Sequence, residues 1–398
     1  MKAAVFSVPK KGTVVMLTLE GCQARRARLF ASLDRSIDYA LVFDPQHQMY
    51  FANYYQTPFV FRTTNAAAVL ILAADGRATL VCDNQLHAFA EQAFVDEIVA
   101  PVWYRGRESA PHREAALVRS TLDQLAKLKA GRFGYEAAVT PVGIIDGLRQ
   151  QRSGVELTPI DAVIHHLKRA KDPDEVSLIR RSLMASDLAF NTALAKVRPG
   201  MKELEVFQLV QDTAQQAIGE AVIVYGDFVS GPRCQKVGGP PSDREIEPHD
   251  LVLLDFSVVV RGYRGDCANT FVCGGRPSDE ERRLYDACLA AMATGESLLK
   301  AGQSCRELYD AVRDSFASRH LADTFHTHAG HGIGLGHPDP PYIVPESSDT
   351  LLAGDVITLE PGQYHPGVAG MRYERNYLIT DTGYELLSHL KLEIDQEA

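Results

Sequence analysis

Residues 251–271, LVLLDFSVVVRGYRGDCANTF, place the tightest constraint on how this chain can fold. Two β-prone runs flank Arg261-Gly262, which predicts a hairpin, and each run carries one aspartate, Asp255 in the first and Asp266 in the second. Inside an apolar strand a carboxylate loses most of its hydration, which is costly unless a cation or hydrogen bonds replace the water. Two such groups on paired strands point to a shared cation. Backbone donors, an arginine or a frayed strand end are the alternatives that the hairpin by itself leaves open.

Downstream the chain supplies three more residues of ligand type: His331 in AGHGIGLG, Glu360 in VITLEPG and Glu374 in MRYERNYLIT. The two glutamates again lie in or beside apolar runs. Four carboxylates and one imidazole make an oxygen-rich set suited to two divalent ions. Such ions, close together, lower the pKa of a bridging water enough to supply hydroxide near neutral pH, and they polarise the carbonyl it attacks. The donors favour hard or borderline metals, so manganese is expected, with cobalt, zinc and iron also compatible.

The 398 residues suffice for two domains and a large core. A net charge of −10 without any Lys/Arg block excludes the electrostatic footprint of a nucleic-acid or anionic-membrane binder. No apolar run is long enough to span a bilayer, and the N-terminus lacks the apolar stretch of a secretory signal. Seven cysteines without CxxC spacing predict free thiols and a cytoplasmic location, with Cys267 a small buried strand residue rather than a ligand.

Periodicity predicts α/β organisation. The first part reads as a helix at 23–36 with Leu29, Phe30 and Leu33 inward, a β-run at 39–43, a hairpin turning at Asp75-Gly76, helices at 112–128 and 142–151, and short strands near 131–136 and 155–160. The domain boundary is expected between 164 and 172, giving domains 1–165 and 166–398. Asp172-Pro173-Asp174-Glu175 then starts a capped helix that Arg198-Pro199-Gly200 stops, and a second helix spans 202–218. The Gly/Pro-rich segment 230–248 reads as a passive connection or a substrate loop, the latter favoured because it leads into the Asp255 strand. Ser278 and Glu281 form a capping box for a helix that Gly302 ends, and another helix covers 305–318.

Taken in order, RRARL, LKRAKDPDEVSLIRRS, RPGMKELEV, LVLLDFS with GYRGD, FHTHAGHGIGLG, ITLEPGQY and GMRYERNYLIT resemble the superfamily of creatinase, prolidase, aminopeptidase P and methionine aminopeptidase along nearly the whole chain. The resemblance implies a creatinase-like N-terminal α/β domain and a duplicated "pita-bread" catalytic domain with a curved antiparallel sheet. It implies that Asp266 and Glu374 bridge two metals, that His331 and Glu360 bind one and Asp255 the other, and that Glu360 also moves the proton of the nucleophilic water. Arg372 would orient Glu374 or lie near the substrate. Xaa-Pro dipeptides or short peptides with proline second are the implied substrates, and a homodimer the implied assembly, with the N-terminal domain of one subunit closing the partner's site.

The chain departs from the family at two substrate-contacting histidines. Gly238 stands at the position of one, and His337 stands one residue closer to His331 than the other, with prolines behind it. A non-peptidase of the same fold, acting at the same metals as a small-molecule amide hydrolase or a dimethylsulfoniopropionate-type lyase, is therefore the alternative. His326 and His328 read as solvated or core histidines, and Tyr225, Asp227 and Trp103 as residues within reach of a pocket.

Overall fold

The computed structural model describes residues 16–33, 37–110 and 112–396. The Cα positions group into two compact units, Leu17–Lys168 and, from Arg169 on, the rest of the chain.

The first unit is built on a six-stranded mixed sheet in the order Glu97–Val99, Ala78–Cys82, Ala68–Ala73, Ile37–Val42, Arg132–Tyr135, Leu157–Pro159. The turn at Asp75-Gly76 closes the central hairpin, and Gly76 takes the positive φ (96°) that an L side chain resists. Alternate residues Tyr39, Leu41, Val69, Ile71, Val81 and Phe133 share one core with Leu117 and Leu125 of the helix Arg113–Lys127 and Ile144 and Leu148 of Val142–Gln151. Period-two strands and period-four helix positions thus bury one continuous surface.

The first helix differs from expectation. It runs Leu19–Ser32, with Thr18 Oγ1 accepting from the Gly21 amide at 3.0 Å, and the end of the expected span, residues 34–36, lies outside the described residues. Leu29 and Leu33 are buried, Phe30 only partly, and Arg25 and Arg26 take inward positions. Arg25 Nε donates to the Tyr50 carbonyl (2.7 Å) and its guanidinium lies over the Tyr50 ring, while Arg26 Nη1 donates to the Phe94 carbonyl (3.2 Å). Those bonds replace the water each cation gives up, so arginine occupies a face that polarity alone assigns to solvent.

In the second unit a pair of helices followed by antiparallel strands occurs twice. Pro173–Lys196, started by the Asp172/Glu175 capping box, and Glu203–Ile218 precede a sheet in which Leu251–Val260 lies between Ile223–Ser230 and Cys267–Val272. Asp279–Glu296, with the Ser278/Glu281 capping box, and Cys305–Ala317 precede the sheet Asp339–Ile343, Gly330–Gly332, Val356–Leu359, Arg375–Ile379, Tyr384–Leu386 and the hairpin Gly362–His365 with Ala369–Arg372. The Asp279–Glu296 helix ends before Gly302: Leu298 N already bonds the Gly295 carbonyl in a tightened last turn, and Gly302 (φ 88°) instead donates its amide to the Leu351 carbonyl. All seven cysteines are buried and free, and among the described residues no helix is long and apolar enough to cross a membrane.

Candidate metal centre

Strand register brings the two hairpin aspartates to one face. Arg261 (φ 51°) and Gly262 (φ 89°) make the turn, Val259 opposes Arg264, and Asp255 opposes Ala268. Asp266 sits just ahead of the strand Cys267–Val272 rather than within it, because the ladder opens there. The Gly265 amide turns to Ser182 Oγ (2.8 Å) and the Asp266 amide to Asn376 Oδ1 (3.1 Å). Ser257, two residues after Asp255, donates its hydroxyl to Asp266 Oδ1 at 3.1 Å. On the other side of the same strand, Asp227 opposes Asp255 and Tyr225 opposes Ser257.

The second sheet supplies the rest. Gly330 lets the strand Gly330–Gly332 pass its neighbour, since a Cβ there would lie 2.1 Å from the Thr358 carbonyl oxygen. His331 Nδ1 donates to the Gly332 carbonyl (2.8 Å), which leaves Nε2 facing inward, 3.4 Å from Glu360 Oε1 and 3.9 Å from Asp266 Oδ2. Glu360 Oε1 accepts from Thr358 Oγ1 and from His328 Nε2, both at 3.0 Å. His337 Nε2 lies 2.5 Å from Asp266 Oδ2. Donor atoms of Asp255, Asp266 and Glu374 all lie within 4.8 Å of one another, and the same holds for His328, His331 and Glu360 and for Asp266, His331 and His337.

Asp255, Asp266, His328, His331 and Glu360 line a cavity of about 230 Å³ whose walls also include Tyr225, Asp227, Val237, His337 and Arg372. Burial, reinforced by the Asp266 and Glu360 carboxylates and opposed by Arg372, pushes the Asp255 carboxyl up to about 7. Burial together with the Asp266, Glu360 and Asp255 carboxylates holds Glu374 well above the ordinary range. For Glu360 burial works upward too, but the His328 hydrogen bond and the positive charge of His328 and Arg372 outweigh it and bring the carboxyl to about 2.

Glu374 tests whether the site suits a metal. It is 1% exposed, and neither carboxylate oxygen has a hydrogen-bond partner among the described residues. An anion buried without a partner, beside three other carboxylates, is a costly arrangement that a divalent cation would relieve. The carboxylate and imidazole donors are those such ions take.

Four of the five residues expected as ligands line one cavity, Glu374 clusters with two of them, Asp255 and Asp266, and His337 reaches the cavity despite the shortened spacing. Other expectations change. Arg372 does not bond Glu374: Nη1 donates to Asp255, Nη2 to the Val237 carbonyl (2.8 Å) and Nε to Tyr364 Oη (2.8 Å). The strand Ala369–Arg372 ends at that arginine, and Glu374 follows in the turn where its amide bonds the Ala268 carbonyl (3.0 Å). His328 is partly solvated, as expected, but it also bonds Glu360; its place three residues before His331 was the available signal. Val237, in the Gly/Pro-rich segment, lines the cavity, while Glu203 anchors that segment through the Ser230 amide (2.8 Å) and Ser242 Oγ (2.6 Å). Tyr225 and Asp227 line the cavity, whereas Trp103 belongs to the first unit and lies against Arg113 and Tyr104.

Arg372 uses three nitrogens on three acceptors, a pattern that the single ammonium of lysine cannot reproduce. Arg372→Lys is expected to lower kcat/KM by about 10- to 100-fold, the usual cost of disturbing the support of a ligand. Steady-state kinetics with metal analysis checks this, and activity within about twofold of wild type would contradict it.

Residues 177–381 match the model of metallopeptidase family M24, and residues 25–169 match that of the creatinase/prolidase N-terminal domain. The uncharacterized peptidase YqhT of Bacillus subtilis is 28% identical over 336 residues, 83% of this chain and 90% of that protein. Among solved structures, the Xaa-Pro dipeptidase from Bacillus anthracis is similar with a TM-score of 0.80 and 26% identity, over 94% of this chain and 99% of that one. The X-Pro aminopeptidase from Thermotoga maritima MSB8 shares the fold with a TM-score of 0.78 at 23% identity, over 94% and 99% of the two chains.

Proposed function

Because the chain belongs to metallopeptidase family M24, whose members are metal-dependent hydrolases with a pita-bread catalytic domain, we propose that it cleaves Xaa-Pro dipeptides or short peptides with proline second. What carries the reading is the buried and unpartnered Glu374, clustered with Asp255 and Asp266, which line one small cavity with Glu360 and His331. Similarity to a protein described as an Xaa-Pro dipeptidase supports the substrate class.

In this proposal Asp255, Asp266, His331, Glu360 and Glu374 hold two divalent ions, manganese first, with cobalt, zinc or iron as substitutes. Bound ions would supply an activated water and polarise the scissile carbonyl. Glu360 takes the proton of the attacking water and returns it to the leaving nitrogen as the C–N bond breaks, and His328, bonded to it at 3.0 Å, balances its charge. His337, against Asp266 at the cavity wall, presents its ring to the substrate, and Arg372 fixes the Asp255 carboxylate beside it. A homodimer and a cytoplasmic location belong to the same proposal.

One observation favours the second reading, a small-molecule amide hydrolase or a dimethylsulfoniopropionate-type lyase. At Gly238 (φ 150°) a Cβ would lie 1.9 Å from Asp227 Oδ2, so a side chain at this position would be strained and would have to displace Asp227. The deciding experiment is metal-reconstituted activity on a panel of Xaa-Pro dipeptides and tripeptides. Cleavage at the proline bond is expected. Protein that binds two metal equivalents and cuts none of the panel would end the peptidase reading in favour of the second.

A further inference from the structure

We propose that Asp227 determines specificity, selecting substrates that carry a positively charged group next to the scissile bond. The inference rests on the proposed peptidase activity for its substrates, and it concerns a residue to which that activity assigns no role.

Four carboxylates line this cavity, and a fifth, Glu374, clusters with two of them. Asp255, Asp266, Glu360 and Glu374 belong to groups close enough to share a cation, and Asp227 stands outside all of them. Pairing of Ile223–Ser230 with Leu251–Val260 nevertheless sets Asp227 directly opposite Asp255, on the wall it shares with Tyr225. Its position is firmly held. Oδ1 accepts the Gly239 amide at 2.9 Å, and the chain at Gly238 lies so close that the place of a Cβ is taken by Oδ2. The wall therefore presents a hydrogen-bond acceptor with negative charge where a side chain from position 238 would otherwise project.

Arg372 satisfies that charge only in part. Its Nη1 forms an ion pair with Asp227 at 3.7 Å but no hydrogen bond, because its nitrogens already donate to Asp255, the Val237 carbonyl and Tyr364, so the Asp227 carboxylate is only partly compensated. Two divalent ions would balance the four ligand carboxylates and leave Asp227, whose side chain is 32% exposed, facing the substrate. An ammonium or guanidinium group is attracted to that wall, and a substrate carboxylate is repelled from it. The partial exposure limits the expected preference to about tenfold.

The test uses metal-loaded wild type and Asp227→Asn, which keeps the shape of the side chain and the oxygen facing Gly239. Two substrate pairs separate charge from size: arginyl-proline against citrullyl-proline, and alanyl-proline against N-formyl-alanyl-proline. The ratio of kcat/KM within each pair is read, or the ratio of Kd where no cleavage occurs. Wild type should prefer the charged member of at least one pair by about tenfold, and Asp227→Asn should shrink that ratio to within about twofold at unchanged metal content. Equal handling of both pairs by wild type, or a preference that survives in Asp227→Asn, overturns the proposal. A binding preference that the variant removes, without cleavage, sustains the inference and ends the peptidase reading. Cleavage without any charge preference does the reverse, and failure to bind any of the four peptides overturns both.

Discussion

Replacing Glu374 by glutamine is expected to lower kcat/KM by at least about a thousandfold, roughly 4 kcal/mol of barrier, and to remove bound metal. Its donor oxygens cluster with those of Asp255 and Asp266, and unlike Glu360 or Asp266 it has no hydrogen-bond partner among the described residues. A carboxylate kept charged for any other purpose would be bonded to something. Glutamine preserves the volume but offers one neutral oxygen and an amide nitrogen, so the charge that holds a cation between these residues is gone. Metal content by elemental analysis, read with the kinetics and a thermal melt, separates this loss from unfolding. A folded Glu374→Gln protein with full metal content and activity within about threefold of wild type would remove Glu374 from the centre.

What was legible beforehand and what was not divide along the range of the interactions. The Arg261-Gly262 turn and the capping boxes at Asp172 and Ser278 are local features, and the corresponding elements are found where the pattern places them, whereas of the hairpin's two acids only Asp255 lies inside its strand. The residue types of the candidate ligands could be read for the same reason, since an Asp or Glu amid Val and Leu stands out without knowledge of its neighbours. Partners could not be read. Arg372 and Asp255 are 117 residues apart, and only the pairing of different strands brings them together, so proximity along the chain pointed to Glu374 as one of two places for the arginine and not to Asp255. Asp227 faces Asp255 through a register that its own segment does not encode. Arg25 and Arg26 look solvent-facing until the Tyr50 and Phe94 carbonyls that accept from them are in place.

The metal-free protein is expected to lose stability as pH rises between about 5 and 8, and a divalent ion to restore it most at the upper end. Asp255, raised to about 7 by burial and by its neighbouring carboxylates against the pull of Arg372, and Glu374, raised further for like reasons, keep their protons when folded at pH values where the unfolded chain has released them. The folded state then binds more protons than the unfolded one. Stability therefore falls with rising pH until the folded carboxyls ionise, by about 1.4 kcal/mol per pH unit for each such proton. His328 and His337 act in the same direction: burial lowers their pKa, but the hydrogen bonds to Glu360 and Asp266 outweigh it, and the stability of those pairs is lost as pH climbs through the raised values. Glu360, held at about 2, contributes the opposite slope only below the ordinary carboxylate range, outside this interval. An ion that binds only the folded state, present at a hundred times its Kd, adds about 2.7 kcal/mol, and its affinity grows as the carboxylates ionise. Melting temperatures across this interval, with chelator and with manganese, provide the measurement, and Glu374→Gln should show both a flatter slope and no response to metal. A chelated wild type that melts higher at pH 8 than at pH 5, or a manganese effect equal at both ends, would contradict a carboxylate cluster whose mutual repulsion a metal relieves.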